Sequence, residues 1–79
     1  MRWFKKKPVA ADYVGKHVAF YGFRAGMGVM KHDFYVGIVL ELKGNDILII
    51  DATHQTLETG GVRHFRFQDI RITDSWEQQ

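Results

Sequence analysis

His32-Asp33, Asp51-x-x-His54 and His64 put imidazole and carboxylate groups in three stretches of this chain. Such groups can hold a metal ion or pass a proton. Their spacings match no named metal motif, and two of the three positions fall in segments that read as loops, where histidines are commonly solvated or bonded to nearby backbone. No Ser-His-Asp or paired-carboxylate set can be placed on one face. No catalytic residue, metal or cofactor is therefore expected, and the chain reads as non-enzymatic.

A second candidate is the glycine-rich stretch "GFRAGMG", Gly22 to Gly28. Phosphate-binding glycines lie between a strand and a helix whose first amides meet the phosphate. This stretch has neither the dinucleotide nor the P-loop spacing, lacks a following Lys-Ser or Lys-Thr, and runs into another apolar alternation. It is expected to be a hairpin loop, with Arg24 and Met27 available for recognition at its tip.

Positive charge is the third. The chain has 11 Lys and Arg against nine Asp and Glu, a formal net charge of +2. Arg2, Lys5, Lys6 and Lys7 are four of those 11, so the remaining seven basic residues face nine acidic ones, a balance of −2. The excess belongs to the first eight residues, and the rest of the chain exerts no general pull on phosphate. With Trp3 beside them, these residues could stack on a base and contact its phosphates. Arg63, His64 and Arg66, clustered in "VRHFRF", are the other candidates for binding nucleic acid or a partner.

Strands must position these groups. At 79 residues the chain is one domain, and a chain this short buries only roughly 60–65% of its unfolded surface. Without cysteine it has no disulfide to compensate, and a homo-oligomer is expected. Ala10 to Val14 favour helix and Gly15 suits a helix end, which predicts one or two helical turns. His17 to Phe23 reads as a first strand. Phe34, Val36, Ile38, Leu40 and Leu42 recur at every second position of the next and are expected to form much of the core, with Gly37 on the opposite face marking a bend. "KGND" is a turn. "ILIIDA" is apolar on both faces, "VRHFRF" sets Phe65 and Phe67 against Val62, His64 and Arg66, "QDI" is a corner, and "IRIT" is a fifth short strand. The expected fold is all-β: residues 1–8 form a basic arm, 9–73 a small five-stranded barrel with a short N-terminal helix, and 74–79 a polar tail.

"PVAADYVGKHVAFYGF", "FYVGIVLELKGNDILIIDA" and "HFRFQDIRI" resemble the helix and the two signatures of Sm-like proteins, over residues 8–73. Tyr35, Val36 and Gly37 match the centre of the first signature, and Phe65 and Arg66 part of the second. Phe67 stands where the family has glycine, and Lys43 and Ile47 stand where it has Asp and Asn. Those positions build the family's uridine or adenine pocket, so the resemblance implies the fold, an SH3-like barrel, without that pocket.

Rings of Sm-like proteins form by strand addition, which implies an oligomer interface at Val62 and His64 of the fourth strand. The function expected is a non-enzymatic Sm-like module that binds single-stranded RNA. The alternative is a protein-interaction module without nucleic acid. A lesser alternative is an oligomeric enzyme like the type II dihydrofolate reductases, whose Val-Gln-Ile-Tyr motif is met at "VRHF" only by Val62 and an aromatic residue, Phe65. No segment has the roughly 20 apolar residues that span a bilayer, and no secretory signal is recognisable, so a cytoplasmic location is expected.

Overall fold

The computed structural model describes residues 8–26, 29–57 and 60–77, with the side chains of 24–26 and 29–31 outside that description. The strands are β1 (Lys16–Gly26), β2 (Val29–Lys43), β3 (Ile47–His54), β4 (Gly60–Arg66) and β5 (Arg71–Glu77). They form one antiparallel sheet in the order β4-β3-β2-β1-β5. β4 and β5 are its two edges, so the sheet is open rather than a closed barrel.

Branched and aromatic residues dominate these segments, and tight turns separate them, as a run of hairpins requires. β1 and β2 pair from His17↔Ile38 to Gly26↔Val29, so the first strand runs beyond Phe23, and Gly22 to Gly26, expected to be loop, are paired strand of a β1–β2 hairpin. Turn residues Gly44 to Asp46 join β2 to β3, with Gly44 at φ +67. The fifth strand, expected to end at Thr73, continues to Glu77 and pairs Ser75 and Trp76 with Val18 and His17.

The expected N-terminal helix is a single 3₁₀ turn, Ala10–Tyr13. Four residues are too few to repay α-helix nucleation. The Asp12 carboxylate instead accepts the Val9 amide at 2.9 Å, and Gly15, at φ +85, donates its amide to Val39 at 2.8 Å. The turn is thereby tied to β2, and Ala10 is buried beneath it.

The core lies on the inner face of the sheet. Val18 and Phe20 of β1, Tyr35 and Val39 of β2, Leu48, Ile50 and Ala52 of β3, and Phe65 of β4 are all buried there. Phe20 meets Phe65 edge-on at 4.8 Å and Tyr35 at 5.4 Å, so three aromatic rings from three strands close the centre.

This reverses the expected facing of β2. Val36 and Leu40 are exposed, and Phe34 and Ile38 are half-buried on the outer side, while Tyr35 and Val39 point inward. Gly37 explains the choice. A Cβ there would collide with the Asp51 carbonyl oxygen and lie 2.6 Å from the Ala52 Cα. The inner side of a curled sheet has the least room where strands approach most closely, and only glycine fits. Leu42 does pack against the core. It returns there because the β2–β3 pairing shifts between Val39 and Glu41, which inserts one extra residue, Leu40.

Candidate functional site

With Tyr35 and Val39 turned inward, the outer face of the sheet receives the other half of every strand. On β1 that half is His17, Ala19, Tyr21 and Phe23, of which Tyr21 and Phe23 are exposed. The antiparallel register sets Tyr21 beside Phe34 and Phe23 beside His32. Tyr21 and Phe34 meet edge-on at 4.9 Å, and Phe23 and His32 lie 4.1 Å apart at 35°. β5 adds Trp76, whose ring stacks on His17 at 5.7 Å and 5°, and Arg71, paired with Tyr21. Three ring pairs thus lie side by side on one face. Val36 and Leu40 extend it with aliphatic surface, at 38% and 46% exposure, while Val62 on β4 is set apart from it by the exposed Asp51. Isolated exposed apolar residues are ordinary, but a contiguous band of them marks a contact surface.

Where the β1–β2 hairpin passes the 3₁₀ turn Phe67–Asp69, a cleft of about 290 Å³ opens. Phe23 and His32 form one wall, and Gln68, Asp69, Ile70 and Arg71 the other. The second wall is held in place because Phe67 donates its amide to the Asp46 carbonyl at 2.6 Å. Arg66, the arginine that matches the Sm-like signature, lies 3.9 Å from Asp46 across the same turn. Both side chains are more than half exposed, so that pair adds little stability.

A buried polar cluster occupies the opposite, inner face. His54 ends β3 and is 3% exposed. Its Nδ1 accepts the backbone amides of Thr56 at 3.2 Å and Leu57 at 3.0 Å, and its Nε2 lies 3.2 Å from Asp33 Oδ2. An Nδ1 that accepts must be unprotonated, which puts the neutral ring's proton on Nε2, facing the carboxylate. The Nε2–Asp33 approach is short but poorly aligned, since Nε2 has no hydrogen bond of good geometry. Tyr35 meets His54 edge-on at 5.1 Å, and the Arg63 guanidinium lies over the Tyr35 ring at 5.5 Å. Nδ1 is engaged by two backbone amides and the whole ring is buried, so the arrangement secures the β3–β4 connection rather than presenting a base to solvent. Among the described residues, no three His, Asp or Glu gather as a metal-binding group.

The structure divides the expected binding residues. Arg2, Trp3, Lys5, Lys6, Lys7 and Met27 lie outside the described residues, as does the side chain of Arg24. Arg63 turns inward over Tyr35, whereas Val62, His64 and Arg66 share the outer face. Sequence reasoning missed Tyr21, Phe23, His32, Phe34 and Trp76 as a surface set, and it named His54 with Asp51 as a candidate metal or proton-transfer pair, whereas the structure buries His54 beside Asp33. The period-two series Leu48, Ile50, Ala52, His54 was the available signal, because it continues the inner face to the histidine. Comparisons with protein-family models, curated proteins and solved structures find no match to this chain.

Proposed function

We propose that the chain is a non-enzymatic binding module of Sm-like organisation that holds single-stranded RNA across the outer face of its sheet. The observation that carries this reading is the band of exposed rings, Tyr21, Phe23 and Trp76 with Phe34 and His17 behind them. Unstacked bases find π-faces there, at about 1–3 kcal/mol for each stacked base. Arg71, beside Tyr21, is placed to meet phosphates. The basic residues Arg2, Lys5, Lys6 and Lys7 add charge that the rest of the chain lacks. The short N-terminal turn, the long β1–β2 hairpin, the sharp approach at Gly37 and the corner after β4 support the SH3-like barrel reading of this curled sheet.

Fluorescence anisotropy with labelled U-rich and A-rich RNA at two salt concentrations tests the reading. Binding is expected to weaken as salt rises and to fall by at least about thirtyfold in a Tyr21→Ala, Trp76→Ala double variant, the lower bound for two lost stacks. Undiminished binding by a folded double variant would refute the outer-face assignment.

One feature favours a second reading, self-association. β4 and β5 are both unpaired edges among the described residues, and Val62 on β4 is 58% exposed. Pairing of β4 with an edge of another copy would satisfy its backbone groups and cover Val62, with His64 beside it. Light scattering at about ten micromolar tests it, and a single-chain mass would exclude it at that concentration.

A further inference from the structure

We infer that the cleft between the β1–β2 hairpin and the Phe67–Asp69 turn is a recognition pocket for one guanine base of the bound strand, with Asp69 as the residue that selects it. The inference rests on the RNA reading above and adds a base preference to it. The cleft, at about 290 Å³, lies just below the roughly 300–1,000 Å³ of sites for drug-sized ligands. It therefore suits one planar ring system rather than a whole dinucleotide. One wall is aromatic: Phe23, 45% exposed, and His32 at 4.1 Å from it.

The other wall includes three polar residues, Gln68, Asp69 and Arg71. All three are exposed. None is engaged in a side-chain hydrogen bond or ion pair with the described residues. Their hydrogen-bonding capacity is open to a ligand.

Chemistry then selects the base. An ionised carboxylate only accepts hydrogen bonds, and its two oxygens lie side by side. Guanine is the one common base whose Watson–Crick edge offers two adjacent donors, N1–H and the exocyclic amine. Adenine and cytosine each set an acceptor beside their donor, and uracil flanks its single N–H with carbonyls that repel a carboxylate. With guanine against Phe23 and its donors on Asp69, Arg71 is left at the lip of the cleft for the adjoining phosphate.

The test compares an 11-nucleotide oligouridine with the same strand carrying one central guanine, and with guanosine monophosphate alone. The guanine strand is expected to bind about tenfold tighter, the scale of one good bidentate base contact. Asp69→Asn should erase that preference, so that the guanine strand and oligouridine bind the variant equally, and an adenine in place of the guanine should give no gain. Equal affinity for the uridine and guanine strands would overturn the pocket but leave the RNA reading standing. Failure of every strand to bind would overturn both. Guanosine monophosphate binding as tightly as the strand would overturn the RNA-borne assignment, in favour of a free nucleotide.

Discussion

His54→Phe isolates the role of the buried imidazole. Phenylalanine keeps a ring of similar size against Tyr35 but removes Nδ1, the acceptor for the Thr56 and Leu57 amides. Each such hydrogen bond contributes about 0.5–1.5 kcal/mol net. Thr56 and Leu57 are exposed, so water can satisfy their freed amides and the loss stays near that range. Asp33 also loses the ring N–H that faces it at 3.2 Å. The expected destabilisation is about 2–3 kcal/mol, equivalent to a drop in Tm on the order of 10 °C for a domain of this size. His54→Ala should cost more, about 3–5 kcal/mol, because it also opens a cavity beside Tyr35. Urea unfolding followed by tryptophan fluorescence gives the midpoints, and amide hydrogen exchange reads Thr56 and Leu57 directly. If His54→Phe unfolded at the parent midpoint with those two amides still protected, the histidine would not be what fastens the β3–β4 connection.

Ile38→Ala, on the outer face of β2, should cost under about 1.5 kcal/mol, whereas Ile50→Ala, in the fully buried part of β3, should cost about 2–5 kcal/mol; chemical denaturation in which Ile38→Ala cost as much as Ile50→Ala would show that β2 faces the other way. Gly37→Ala should destabilise by about 3 kcal/mol or prevent folding, because its methyl meets backbone rather than a movable side chain; a circular dichroism melt matching the parent would show that β3 can move aside. Gly22→Ala, whose added carbon would touch the Phe65 ring at 3.1 Å, should cost about 1–2 kcal/mol in the same melt, since a ring edge can shift.

Strand positions were legible because hydrophobic alternation and turn residues are local signals. Facing was not. Phe34, Val36, Ile38 and Leu40 alternate as well as Tyr35 and Val39 do, and a strand that is apolar on both sides leaves periodicity silent about which side is the core. Gly37 breaks the tie only once Ala52 is known to lie opposite it. The aromatic band was hidden for the same reason. Tyr21, Phe34 and Trp76 come from strands whose registers must be known before their rings are seen to share a surface. The polar cluster joins Asp33 to His54, 21 positions apart, through the pairing of Tyr35 with His54, and no spacing rule contains that pairing. The 3₁₀ geometry of the first turn, by contrast, follows from having four residues between Val9 and Val14.

Gly37 has a consequence for how the chain avoids mispairing. A hairpin of two long strands can slide by two residues and keep every side chain on its proper face, so burial alone does not forbid the wrong alignment. In β2 such a slide would bring Tyr35 or Val39 opposite Ala52, with a Cβ where only hydrogen fits. The missing side chain thus works as an alignment notch, admitting one pairing of β2 with β3 and rejecting its nearest decoys.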